Sequence, residues 1–383
     1  MATQEDRIEL RPLKKKIFLA YPYYWPHYKA GGPVQSLYNL CSFFKNDFTF
    51  YLISSVKDID GSDSTESILP DQWNSGPNGE HVFYTSVISW AVVGRLLNEI
   101  RPHVIYVNGI FNINTTLPAL YYGKRLKSKI IISPRGMLQA WGLERNKWKK
   151  RIFLRMLSLF LGRQEEWHAT DTQEKEDILR YFGERQIVHV ASNIPRATSA
   201  LHALPLDRRG PVKLVFLSLI NPNKNLHLVL EALHQFSPDQ FSLAIYGPVI
   251  DKEYWSACKQ KMKDLPAVSY MGPLLPWEVP LQLQQYHFFI LPTQGENFGH
   301  AIFDSLSAGV PVAISKNTPW MHIDEKKAGF YFNTITREAI TGALSAMADL
   351  PEGVYSQYRS NALEYAADYW QEKQYKKEYS FLL

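Results

Sequence analysis

The chain has 383 residues, 45% of them hydrophobic and 21% charged, with a formal net charge of +5. That is more chain than one hydrophobic core usually serves, and it has an ordinary globular composition, so two folded domains are expected and a disordered or collagen-like chain is excluded. Its two cysteines, Cys41 and Cys258, lie far apart and offer neither a disulfide framework nor a CxxC metal pair, which fits a reducing compartment.

Met1 to Lys16 is charged and lacks an apolar h-region, so it does not read as a secretory leader. No run approaches the ~18 apolar residues of a spanning helix. A cytoplasmic protein is therefore expected. Lys16–Ala20 then predicts a first buried strand. It ends in a turn-rich loop, Tyr21 to Pro33, that carries Gly31 and Gly32, and Val34–Phe44 follows with helical spacing. Further strands are predicted at Phe48–Ser54, Val104–Val107, Ile130–Ser133 and Trp167–Thr170, with helix-like segments between several of them. Asp58–Glu80, polar and rich in Gly, Ser, Asn and Asp, reads as a long exposed loop. Asn193 to Arg209 has no period and reads as a linker. A second alternation has strands at Lys213–Leu219, Phe241–Tyr246, Phe288–Leu291 and Val312–Ser315, and helices at Asn225–Phe236 and His300–Ala308. This pattern predicts an α/β protein with two successive βαβ domains, parallel sheets and a cleft at their carboxyl ends. The division expected is 1–200, 201–365, and a terminal helix over 366–383 that packs back onto the first domain.

Gly295-Glu296-Asn297-Phe298-Gly299-His300, continuing through Asp304 to Gly309-Val310-Pro311-Val312, resembles the signature of glycosyltransferase family 4. Ser133-Pro134-Arg135-Gly136-Met137-Leu138 with Trp141, His168-Ala169-Thr170 with Glu174, Asn221-Pro222-Asn223-Lys224-Asn225, and Thr318-Pro319-Trp320 resemble further family segments in the same order. The resemblance implies the GT-B fold, two Rossmann-like domains facing a cleft. It also implies transfer of a hexose-type sugar, with retained configuration, from a UDP- or GDP-sugar to a saccharide or lipid-linked acceptor in surface polysaccharide or glycolipid assembly. Three positions depart from the family pattern. Leu219 stands where an arginine is usual, Asp304 where glutamate is usual, and Ser192-Asn193-Ile194 where Pro-Asn-Gly is usual.

The chemistry matches these residue types. A diphosphate leaving group needs positive charge and N–H donors. Lys224 is a suitable point charge. Asn297-Phe298-Gly299-His300 opens a helix whose free amides bind anions, and Gly31-Gly32 lets backbone amides approach from the other domain. The resemblance implies that Glu296 holds sugar hydroxyls and Asp304 the ribose; they are about two helical turns apart, so one helix face can carry both. Arg135 is the candidate to contact sugar or acceptor. The catalytic set is thus Lys224, Glu296 and Arg135. The donor set is Gly31, Gly32, Lys224, Asn297, Phe298, Gly299, His300 and Asp304. The nucleotide base is expected between Tyr246-Gly247-Pro248 and Met271-Gly272-Pro273-Leu274.

No metal or cofactor is expected: the histidines show no HxxxH spacing. Nucleic acid is not expected as a partner. Arg145–Arg163, basic with Trp148, Phe153 and Phe160 interleaved, leaves two readings open. One is a helix lying on an anionic membrane; the other is a basic exposed face whose apolar side packs on the sheet. The alternative to an active enzyme is a glycosyltransferase-like binding or scaffold protein, which Leu219 and Asp304 keep open.

Overall fold

The structure, a computed structural model, describes residues 14–63, 67–143, 147–162, 164–197 and 208–383; the side chains of residues 140, 141 and 147 are outside the description. Most of the leader reading, Trp141 as a side chain, Arg145, Arg163 and the middle of the expected linker therefore lie outside the described residues.

Among the described residues, fourteen strands form two sheets. The first sheet contains β1 (Lys15–Ala20), β2 (Phe48–Ser55), β3 (Trp73–Ser75), β4 (His81–Thr85), β5 (Val104–Asn108), β6 (Lys129–Ser133), β7 (Glu166–Ala169) and β8 (Ile187–Val190). Its order is β3-β4-β2-β1-β5-β6-β7-β8. All pairs are parallel except β3 with β4. The second sheet contains β9 (Val212–Leu217), β10 (Phe241–Tyr246), β11 (Val268–Gly272), β12 (Phe288–Leu291), β13 (Val312–Ser315) and β14 (Gly329–Phe332). It is fully parallel, in the order β11-β10-β9-β12-β13-β14. The α/β class and the two parallel-sheet, GT-B architecture are as the sequence predicts.

Period-two alternation explains why the first sheet is covered on both faces. Ile17 and Leu19 of β1 point to one core, shared with the helix Gly32–Phe44, while Phe18 and Ala20 point to another, shared with the helix Trp90–Ile100. The second domain has one core, built on Leu214, Phe216, Ile245, Phe289 and Ile314. The helix Glu352–Glu372 adds Tyr355, Ala362 and Ala366 to that core. The chain then leaves it: Tyr375, Tyr379, Phe381 and Leu382 are buried in the first domain. Tyr379 donates to Ser192 O at 3.0 Å.

Asp58–Glu80 corrects one expectation. It is not a plain exposed loop: β3 lies within it, Asp58 and Glu80 are buried, and Tyr24 donates to Glu80 Oε1 at 2.6 Å. The helix expected from Asn225 begins at Leu226, because Asn225 is left-handed (φ 51°). In both sheets the strand order reverses beside the first strand, between β1 and β5 and between β9 and β12. Such switch points open a crevice at the carboxyl ends of the strands, and the candidate residues lie there.

Candidate active site

β9 delivers the lysine loop. Asn221 accepts from Asn223 N at 3.0 Å and starts a short 3-10 turn, Pro222–Lys224. Asn225 closes the turn and donates from Nδ2 to Pro292 O at 2.7 Å, which fastens the loop to the end of β12. Lys224 is thereby turned inward, 9% exposed. Its Nζ lies 2.5 Å from Glu296 Oε1 and 3.4 Å from Thr293 Oγ1. The cation and the carboxylate expected at the donor's reacting end are thus brought together as an ion pair.

Glu296 does not share a helix with Asp304. It stands in the loop after β12, and its N–H bonds Asn317 O at 3.1 Å. The helix begins only at His300, because Gly299 adopts a left-handed conformation (φ 79°) that ends the loop. A Cβ on Gly299 would lie 2.9 Å from Ile302 Cδ1 and 3.3 Å from Trp320 Nε1. Trp320 Nε1 donates to Phe298 O at 2.6 Å, and the Phe298 ring packs edge-on to that indole. No side chain caps the helix His300–Ser307, so its first amides are available to an anion.

The opposing wall comes from the first domain. Gly31 (φ 77°) precedes the helix Gly32–Phe44, whose start is likewise uncapped by any side chain. The two helix starts converge. A Cβ on Gly31 would lie 3.2 Å from Leu219 Cδ1, and one on Gly32 would lie 3.9 Å from His300 Cδ2. Ser36 Oγ and His300 Nε2 are 2.8 Å apart. Desolvation in the cleft, then the Arg196 and Arg135 guanidinium groups, hold the His300 imidazole down to about 3, so it is neutral. Asp304, one turn further along its helix, is buried and faces Arg196, with Nε 3.5 Å from Oδ1.

Arg135 is not an open cleft cation. It is buried, with Nε donating to Asn108 Oδ1 at 2.6 Å, Nη2 to Tyr106 OH at 2.8 Å, and Nη1 to Asn193 Oδ1. Asn193 Nδ2 passes the chain on to Asn297 Oδ1 at 3.1 Å, and Asn297 Nδ2 donates to Thr170 Oγ1 at 2.7 Å. Glu174, fully buried, accepts from Gly136 N, from Thr170 N and Oγ1, and from Asn297. Burial raises its pKa, and these donors oppose the rise. His168 lies behind this network, near Tyr106 OH at 2.5 Å and Ala191 O at 2.8 Å, and burial with Arg135 holds it down to about 3. Asn108, Asn193 and the cross-domain role of Asn297 escape sequence reasoning, because an asparagine that satisfies buried donors leaves no period or motif. The expected base loops do meet: Gly247 N donates to Gly272 O at 3.0 Å, and Tyr270 OH to Gly247 O at 2.8 Å.

Residues 211–349 match the family model of group 1 glycosyl transferases. That segment carries Lys224, Glu296, His300 and Asp304. Among solved structures, Anabaena HepE in complex with UDP-glucose is similar at 14% identity and TM-score 0.75, covering 96% of this chain and 99% of that one. The sucrose-phosphate synthase of Thermosynechococcus elongatus is similar at 12% identity and TM-score 0.74, covering 96% and 98%. WaaG, a glycosyltransferase involved in lipopolysaccharide biosynthesis, is similar at 12% identity and TM-score 0.66, covering 96% and 98%. These likenesses establish the fold. No curated protein matches by sequence.

Proposed function

We propose that this protein is a retaining glycosyltransferase moving a hexose-type sugar from a UDP- or GDP-sugar to a saccharide or lipid-linked acceptor, in surface polysaccharide or glycolipid assembly. The observation that carries the reading is the largely enclosed Lys224–Glu296 pair, set at the carboxyl end of the second sheet where two uncapped helix starts converge. A diphosphate entering there meets amides from both domains and the lysine's remaining N–H donors. As the glycosidic bond breaks, charge grows on the leaving phosphate, and Lys224 shifts its interaction toward that oxygen. Glu296, next to it, accepts from sugar hydroxyls and fixes the anomeric carbon. The leaving phosphate takes the acceptor's proton on the same face, so the reading requires no separate general base. Lysine and helix amides supply the charge that a divalent ion would supply elsewhere, and the reading is therefore metal-independent. HepE, whose solved complex holds UDP-glucose, shares this fold and lends support.

The test is a panel of nucleotide sugars screened by thermal shift on the whole protein, followed by turnover with saccharide and lipid-linked acceptors. Stabilisation by one donor, its nucleoside diphosphate and transfer with retained configuration are expected. Binding without turnover on any acceptor favours the scaffold reading.

The partner surface also belongs to this reading. The helix Lys147–Phe160 buries Leu154 and Leu157 and leaves Trp148, Ile152, Met156 and Leu159 exposed, Leu159 to 84%. The exposed set recurs at four- and three-residue steps, one stripe of the helix, and Lys149, Arg151 and Arg155 are exposed on the same helix. An apolar ridge set among cations fits the surface of an anionic bilayer, where a lipid-linked acceptor would reside. Among the described residues no helix is long and apolar enough to cross a membrane. Co-sedimentation with phosphatidylglycerol vesicles, lost in Met156→Glu/Leu159→Glu, is expected; equal binding by the variant removes the surface from the proposal.

A further inference from the structure

Arg196 lies in the segment that leaves the first domain after β8, and its guanidinium reaches a helix of the second. Its Nε stands 3.5 Å from Asp304 Oδ1; the aspartate side chain is 9% exposed, the arginine 26%. Among the described residues no other group hydrogen-bonds the Asp304 carboxylate, and the buried Arg196 Nε makes no hydrogen bond. At 3.5 Å the contact is a charge pair rather than a formed hydrogen bond.

A carboxylate in this position requires explanation. It is nearly buried, no N–H donor satisfies it, and it lies one turn from the helix start that faces Gly31–Gly32. Salt-bridge economics do not supply the reason, since an ion pair in low dielectric adds little net stability. A polar ligand that completes the carboxylate's bonding does.

We propose that Arg196 is a positioning residue of the nucleoside site: it holds one oxygen of Asp304 from the linker side and leaves the other to accept from the ribose hydroxyls of a nucleoside diphosphate. This rests on the glycosyl-transfer reading. The linker thereby becomes part of the donor site, although every donor residue named from the sequence beyond Gly31 and Gly32 belongs to the second domain.

The electrostatics give the proposal a distinctive readout. Burial pushes the Asp304 carboxyl up, and Arg196 opposes that rise. Among the described residues, Arg196 is the charged group that acts on this carboxyl. His300, on the same helix, is neutral. Ser36 comes from the helix Gly32–Phe44. Tyr369, whose ring packs on Phe303, has its hydroxyl pushed up to about 12. Removing Arg196 leaves burial unopposed, and Asp304 then takes up a proton as the pH falls.

The experiment measures UDP and GDP affinity calorimetrically from pH 5.5 to 8 on the full chain and on Arg196→Ala, Arg196→Lys and Asp304→Asn. Asp304→Asn supplies the baseline for the diphosphate's own titration. Against it, the wild-type advantage should fall less toward pH 5.5 than that of Arg196→Ala. Arg196→Ala should lose affinity severalfold at pH 5.5 and recover most of it by pH 8. Arg196→Lys should restore the wild-type profile. A loss in Arg196→Ala that is equal at every pH and not restored by lysine overturns the proposal, as does a wild-type profile in Arg196→Ala. If wild type binds neither UDP nor GDP, the glycosyl-transfer reading falls and takes this proposal with it; the variant outcomes alone leave that reading standing.

Discussion

Lys224 and Glu296 cannot be probed singly without leaving a lone charge in a largely enclosed site, because Nζ and Oε1 stand 2.5 Å apart. Lys224→Ala is expected to lower turnover ~100-fold or more, the range for a lost transition-state donor. Glu296→Ala should mainly lower kcat. The double variant should be little worse than the poorer single one, since paired residues are not additive. Steady-state kinetics on the three variants decides; fully additive losses would mean that the two act separately. Asp304→Ala should instead raise the donor KM, as the ribose is remote from the bond that breaks. Because the charge is proposed to come from Lys224 and helix amides, activity should persist in excess EDTA. Loss on chelation that magnesium or manganese restores would overturn the metal-independent reading.

The two suppressed histidines add a pH dependence. His168 and His300 are both held down to about 3, chiefly by desolvation, whereas an unfolded imidazole titrates near ~6.5. Below that pH the unfolded chain takes up protons that the native state refuses. Their contribution is therefore complete above about pH 6.5 and lost progressively as pH falls toward 3. Thermal melts should shift down between pH 7.5 and 5, and His300→Gln should flatten part of that slope. An unchanged slope in the variant assigns it to other groups.

At the scale of elements, loop geometry explains what a motif only lists. Gly299 ends the loop after β12 in a left-handed conformation with Ile302 and Trp320 close behind. Gly299→Ala should lower stability by ~1–2 kcal/mol, the steric cost of that conformation, and displace Glu296 from Lys224. A fall in both melting temperature and kcat checks it; a lower melting temperature with normal kcat would detach the loop from the chemistry. Elements also differ in how legible they were. β1, β10, β12 and β13 are short apolar runs flanked by turn residues, and each is evident from sequence. β3, β4, β8, β11 and β14 are not evident from sequence. Their burial is uneven or their hydrophobic runs are short, as in Ile187–Val190 and Val268–Gly272, and only pairing with neighbours makes them strands. Lys224, Glu296, His300 and Asp304 stand out because their segments resemble the glycosyltransferase family 4 signature. Their mutual arrangement does not, since Gly299 breaks the helix that spacing alone would have run through Glu296. The Arg135–Asn193–Asn297–Glu174 network was hidden for a different reason: its contacts join positions far apart in sequence, and no local pattern records them.

At the scale of the molecule, the last turns of the chain return to the domain built from its first residues. Tyr375, Tyr379, Phe381 and Leu382 share a core with Ile17, Leu37 and Phe44. Phe381 also stacks on His189 at 4.9 Å between ring centroids. Ending the chain after Glu372 should therefore loosen the first domain and spare the second. Hydrogen exchange by mass spectrometry would show it as faster exchange in β1 and in Gly32–Phe44, with β9 and β12 unchanged; uniform acceleration would refute that division.

The return of the tail also fixes an order of events on the ribosome. The second sheet has its strands in hand once β14 has emerged, while the earlier-made domain still has an open wall of Phe44, Ile17 and Leu37 waiting for its last four aromatic and aliphatic plugs. The part synthesised first is thus the part completed last, and a nascent chain exposes that apolar wall throughout the synthesis of the second domain.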